Sequence, residues 1–370
     1  MSRMETQSSG SPVRGTRGRR AAGIGVGDLV EVRAEREILA TLDECGELDG
    51  LPFMPEMLQF CGRRFVVDKV ASKACDTISW TGLHRMNDAV HLAGVRCDGA
   101  AHGGCQAGCL VYWKTVWLKK AEPAEDHSGA DPAGQPGPSR RPVPVGSRED
   151  LSILACSVAT LRTVAGKADA STASSRTVYS CQATELLRAA PERIPIWDLR
   201  QYVADVRSGN ARVSTVTRGV VVGLFNRAQR WAARRLPRRL LIRGGRTYPF
   251  IEGRAVEGRV KDSLTERLDL LPGEWVRVKS REQIEATLTA DNRNRGLTFD
   301  VEMLKYCGRT ARVLRRVEHI INEQNGEMMH LKKPCLILED VICTSDYHRS
   351  CPRGIYPYWR EIWLERVPAP

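Results

Sequence analysis

Four side chains able to ligate a metal fall within thirteen residues: Cys97, His102, Cys105 and Cys109. Gly99, Gly103, Gly104 and Gly108 lie among them. Glycine lets a backbone wrap tightly enough for such side chains to converge on one ion. Cys75, further upstream, can add another thiolate. Mixed Cys and His ligands suit tetrahedral zinc. The usual knuckle of two cysteines separated by two residues does not occur here. The spacing also departs from ferredoxin-type runs, which places an iron–sulfur cluster behind zinc. A third chemistry is nucleophilic, with Cys105 or Cys109 activated by His102 and Asp98 as the orienting group. The density of glycines favours ligation over it.

The same segment returns 246 residues later as Cys343, His348 and Cys351. Ile355 replaces Cys109, and Cys335 stands where the earlier copy has Ala89. A straight strand would hold the sulfurs of Cys335 and Cys343 roughly 26 Å apart, at about 3.3 Å per residue. Both can serve one ion only if the chain turns near Glu339 and Asp340; otherwise Cys307 or Cys181 must complete the set. Cys61 and Cys307 also correspond. Each follows an aromatic residue and precedes glycine, the setting of a small buried apolar side chain. Glu56 and Glu302 correspond as well, and read either as acid–base groups or as carboxylates at a helix start.

Residues 27–118 align without a gap to residues 273–364, with 28 identities in 92 positions. Chance identity is on the order of 6%, so this is an internal duplication. Each copy opens with a glycine and an alternating strand, passes a short helical stretch near Glu56 or Glu302, and closes on a Trp pair, Trp113/Trp117 or Trp359/Trp363. Several short strands in about 95 residues point to a small SH3-like β-barrel with a Cys-bearing excursion. The expected class is α+β: two duplicated SH3-like units with Cys-rich loops, joined by a disordered linker and a helical middle region.

The expected boundaries are a disordered basic tail at 1–24, the first Cys-rich unit at 25–120, a Pro/Gly/Ser-rich linker at 121–150, a helical Arg-rich region at 151–260, and the second unit at 261–370. Pro195 and Gly209 bracket one expected helix. Residues 218–246 hold nine Arg and no acidic residue. There Arg227, Arg230 and Arg234 share one helical face, while Val221, Leu224, Phe225, Ala228 and Trp231 fall largely on another. Pro237 should end or kink that helix, with Arg235, Arg238 and Arg239 nearby. Such a stretch packs with its Arg face solvated, or meets an anionic partner: nucleic acid, an acidic protein or a membrane surface.

The 370 residues carry 56 Lys+Arg against 44 Asp+Glu, a net charge of +12, and 45 of the cations are Arg. An apolar share of 42% is enough for folded cores. No apolar run approaches the roughly 20 residues of a membrane-spanning helix. The N-terminus lacks the apolar core of a secretory signal, so a cytoplasmic protein is expected. Twelve Cys in a reducing compartment point to metal or thiol chemistry rather than disulfides.

The strings GDLVEVR, EILATLDECGELDGLPFMPEMLQFCGRR, CDGAAHGGCQAGCLVYWKTVWL and CPRGIYPYWREIWLERV resemble a bacterial protein family built on a duplicated Cys-rich unit. The resemblance covers both copies and YSCQATEL at 179–186. It implies one duplicated unit and carries no activity with it. The expected function is that of a zinc-binding interaction or scaffold protein with an anionic partner. The alternative is a metalloenzyme, zinc or iron–sulfur, using the Cys97/His102/Cys105/Cys109 loop.

Overall fold

The structure, a computed structural model, describes residues 23–122, 156–168, 177–254 and 267–370. The expected 1–24 tail and 121–150 linker lie outside the described residues, except for residues 23–24 and 121–122. The strands are β1 (Leu29–Val32), β2 (Arg64–Val70), β3 (Lys73–Cys75), β4 (Leu83–Arg85), β5 (Ala89–Leu92), β6 (Trp113–Lys114), β7 (Leu118–Lys120), β8 (Arg193–Ile194), β9 (Trp275–Val278), β10 (Thr310–Ile321), β11 (Met328–Leu338) and β12 (Leu364–Arg366), with three shorter two-stranded pairs besides. The longer helices are α1 (Val158–Ala165), α2 (Arg200–Arg207) and α3 (Val213–Ala233). The chain thus mixes helix with several small antiparallel sheets.

One sheet has the order β6-β5-β2-β1-β7, and a second has the order β11-β10-β9-β12. Their registers match at the offset read from the sequence. Leu29 faces Val66 and Trp275 faces Arg312; Val32 faces Leu118 and Val278 faces Leu364. The alternation in β1 explains its place. Val30 and Val32 are fully buried, while Leu29 and Glu31 are half-exposed, as a strand with one face on a core requires. A 3-10 turn precedes the last strand of each sheet and sets the Trp pair into the core.

All four of those tryptophans are fully buried. Phe53 meets Trp113 and Trp117 edge-on at 6.2 and 5.2 Å, and Phe299 meets Trp359 and Trp363 at 6.2 and 5.3 Å. Edge-to-face contact suits the aromatic quadrupole. Each outer indole N–H is also satisfied alike: Trp117 donates to Thr41 Oγ1 and Trp363 to Thr287 Oγ1, both at 2.9 Å.

The copies part beyond β2. In the first, β3 and β4 fold aside into a small sheet with β8. In the second, β10 and β11 run on as one long hairpin. The middle region fills the first core: Leu161, Ala165, Cys181, Leu186 and Ala190 pack into it. Gln182 accepts from Tyr112 N–H at 2.8 Å and donates to the carbonyls of Pro52 and Tyr112 at 3.0 Å. Lys73 and Asp205 of α2 form a buried ion pair. Helix α2 begins at Arg200, after the expected start at Pro195, and stops beside Gly209, which takes a positive φ of 82°.

Residues of the two copies also meet each other. Thr77 Oγ1 bonds Glu323, its counterpart 246 positions on, and Gln324 Nε2 donates to Ile78 O at 2.8 Å. Positions 246 apart thus meet at this point. Around it, Cys75 N–H donates to Cys351 Sγ at 3.2 Å, and Ile321 N–H donates to Cys105 Sγ at 3.4 Å.

Candidate metal centres

The loop that carries Cys97 and His102 is held by a Cys97 N–H to Cys109 O bond of 2.8 Å, by His102 N–H to Gly99 O and by Gly104 N–H to Gly99 O. The later loop repeats this: Cys343 to Ile355, His348 to Ser345, and Ser350 to Ser345. Gly99, Gly103 and Gly104 have φ near 70–77°, and Ser345, Arg349 and Ser350 take 55–59°. The later loop therefore keeps the left-handed turns without the glycines that favour them, at a cost of about 1 kcal/mol or more each. Strain of this kind persists where surrounding structure over-determines it, and it clusters at functional sites.

Within this frame Cys97, His102 and Glu56 converge. The Cys97 thiol donates to Glu56 Oε1 at 3.2 Å and lies 3.3 Å from His102 Nε2; His102 Nδ1 lies 3.3 Å from Glu56 Oε1. Glu302, Cys343 and His348 form the matching group, and in each group one donor atom per residue lies within 4.8 Å of the others. The two groups differ in detail. Glu302 accepts from Tyr347 N–H at 2.6 Å, His348 Nε2 is 3.6 Å from Asp300 Oδ2, and Cys343 Sγ is 3.7 Å from His348 Nδ1. Glu56 Oε2 and His102 Nδ1, in contrast, are buried without a hydrogen-bond partner. Buried polar atoms are seldom left so.

The protonation states follow from burial. Burial and the nearby Glu56 push the Cys97 thiol far above its ordinary range, and burial lowers His102 despite Glu56 and Asp98. Cys97 thus keeps its proton and His102 is neutral, the state of an imidazole free to ligate. Burial opposes the charged form of His348, but Asp300 and Cys343 carry it up to about 11. A metal entering the second group must displace a proton there as well.

The other cysteines and histidines named from sequence are placed as follows. Cys105 and Cys109 stand outside the Glu56 group but line the same cavity of about 50 Å³, as does Cys181. Burial raises Cys109 to about 12 and Cys181 to about 11. Cys75 sits not with the first loop but on Cys351, whose hydrogen bond lowers it to about 6. Cys75 and Cys351 line a pocket of about 350 Å³ together with Glu302, Cys343 and His348. The chain does turn at Asp340, which has φ of 56°, yet Cys335 stays in β11 opposite Val317, outside either group. Glu56 and Glu302 enter as donors the sequence did not single out as ligands. Their common offset with the Cys–His pairs was the signal.

Helix α3 ends at Ala233, and Pro237 follows it before a 3-10 turn at Arg238–Leu240. Arg227, Arg230, Arg234, Arg235, Arg238 and Arg239 are all exposed, and so are Val221, Leu224, Ala228 and Trp231. Phe225 packs toward Phe250. Among the described residues, no helix is long and apolar enough to cross a membrane. No protein-family model, curated protein or solved structure matches this chain.

Proposed function

We propose that the protein is a duplicated metal-binding protein that holds one divalent ion per copy, zinc by its donor chemistry. The observation that carries this reading is the convergence of Glu, Cys and His twice, 246 residues apart. Tetrahedral zinc with bonds of about 2.0–2.3 Å sets its donors roughly 3.3–3.6 Å apart; Cys97 Sγ and Glu56 Oε1 stand 3.2 Å apart, and one donor atom per residue lies within 4.8 Å of the others. In a nucleophilic relay the imidazole stands between thiol and carboxylate. Here His102 does face the thiol through Nε2 and the carboxylate through Nδ1, but Glu56 Oε1 also meets the Cys97 thiol directly, and one donor atom from each residue lies within 4.8 Å of the others, which supports ligation. Each group contains a single cysteine, which weighs against an iron–sulfur cluster with its several thiolates. In the first sheet four strands meander and the fifth returns to pair with the first after a 3-10 turn; in the second, three strands meander and the fourth returns in the same way, and this shared order supports SH3-like units.

The exposed Arg face of α3 supports a role as an interaction module for an anionic partner such as nucleic acid or an acidic protein. A nucleic-acid binding constant that did not fall steeply with salt would count against it. A second reading, a metalloenzyme, rests on the second group. Both groups offer three protein donors, whereas structural zinc sites take four protein ligands, and the second group also faces a 350 Å³ pocket. Zinc held this way supplies a Lewis acid at its fourth position.

Elemental analysis of protein purified without chelator tests the proposal. About two equivalents of zinc are expected. Cys97→Ser and Cys343→Ser should each lose one, and Cys335→Ser none. Absence of metal, or equal loss in all three variants, would overturn it.

A further inference from the structure

A third cavity, of about 310 Å³, lies in the second copy and shares no residue with either candidate metal group. Six cationic side chains line it: Arg267, Arg295, Arg316, Lys332, Lys333 and Arg360. Its one carboxylate is Glu361, already committed to Arg316 at 2.9 Å and to the Leu268 N–H at 2.9 Å. Arg360 spends its Nη atoms on the carbonyls of Lys333 at 2.8 Å and Arg295 at 3.1 Å, which leaves its charge uncancelled, and its Nε is buried with no partner. Among the described residues no carboxylate pairs with Lys332 or Lys333.

The first copy provides an internal control. Arg360 corresponds to Lys114, Lys333 to Asn87 and Arg295 to Asp49. Lys114 donates to Asn87 O at 3.2 Å, the same carbonyl position, but its charge is met by Asp49 at 2.9 Å. Both Asp49 and Arg295 occupy left-handed backbone, with φ of 53° and 48°. Asp tolerates that region better than Arg, so the second copy accepts backbone strain to put a cation where the first has the neutralising anion. Lys332 and Arg316 replace Met86 and Val70, deepening the positive field. Lys333 is lowered, by desolvation first and then by Arg295, Arg360 and Arg267, as expected for crowded like charges.

We infer that this cavity binds a compact, multiply charged phosphate ligand that takes the place Asp49 fills in the first copy. The size falls at the lower end of small-molecule sites. Arg and Lys donors give the charge-assisted bonds that phosphate oxygens accept. Pro334 and Ile362 are the apolar lining, and no aromatic ring is present on which a base could stack. Recognition is therefore of charge, not of a nucleobase.

The test is calorimetric titration of the full chain with tripolyphosphate and with ATP at physiological salt. The variant is Arg295→Asp, which restores the first copy's pairing and relieves the strained backbone, so its fold should hold. Saturable binding of both ligands is expected, similar in strength and weakened at least about tenfold by Arg295→Asp. Arg227→Gln/Arg230→Gln/Arg234→Gln on α3 should leave it unchanged. The inference is overturned if tripolyphosphate does not bind, if Arg295→Asp binds it as well as the parent, if ATP binds more than about tenfold tighter, or if a long oligonucleotide binds that tripolyphosphate cannot displace. Cys97→Ser/Cys343→Ser protein should bind tripolyphosphate as the parent does, and loss of binding in that variant would place the ligand on the metal and overturn the inference.

Discussion

At the scale of single residues, the two copies act as each other's mutants. His91 is fully buried, donates from Nδ1 to Val111 O at 2.9 Å and leaves Nε2 without a partner. Its counterpart is Ile337, equally buried. Burial first, then Arg353 and Arg96, hold His91 down to about 4, against a hydrogen bond to Val111 O that raises it. Because the folded value is depressed, the unfolded chain takes up a proton first as the solution is acidified. Stability is full above pH about 6.5 and falls toward pH about 4, by roughly 3 kcal/mol. His91→Ile should flatten that acid limb. Urea titrations of parent and variant at pH 7 and 4.5 check this, and a variant that lost as much stability as the parent would refute it.

At the scale of elements, the loops show what could be read beforehand and what could not. Cys97-x4-His102 and its copy are visible as spacing, because the loop is local. Glu56 lies 41 residues earlier and arrives only when the segment Pro55–Phe60 packs beneath the loop, a contact no spacing encodes. The pairing of Cys75 with Cys351 spans 276 residues and depends on how the copies face each other. The second loop lacks the glycines of the first, yet its backbone follows the same turns. This makes opposite predictions for two substitutions. Ser350→Gly should stabilise by about 0.5–1 kcal/mol, since it relieves a left-handed residue at some cost in chain entropy. Gly99→Ala should be severely disruptive, because its Cβ would sit 2.1 Å from Cys105 O. Thermal melts of both variants decide the matter.

At the scale of the whole molecule, Arg353 joins the copies. Its Nη1 donates to Cys75 O at 2.9 Å and Thr77 Oγ1 at 2.7 Å, and its Nη2 meets Glu323 at 3.2 Å. It lines both the 50 Å³ and the 350 Å³ cavities, so it stands between the two candidate metal groups. The position 246 residues earlier is Ala107, so this contact carries one guanidinium rather than two, which avoids placing like charges together. Burying that cation is tolerable only while Glu323 and the two oxygens answer it. Arg353→Met removes the charge but leaves Glu323 facing the interface and Cys75 O without its donor. The expected loss is about 3 kcal/mol, concentrated at the contact between copies, because the hydrogen bonds lost there run from Arg353 to Cys75 O and Thr77 Oγ1 of the other copy. Calorimetry should therefore show the parent unfolding in one transition and Arg353→Met in two, with the earlier one shifted down. A single transition at the parent's midpoint would mean that the copies are held together elsewhere, through the middle region, whose Tyr179 N–H donates to Gly326 O at 2.8 Å, instead.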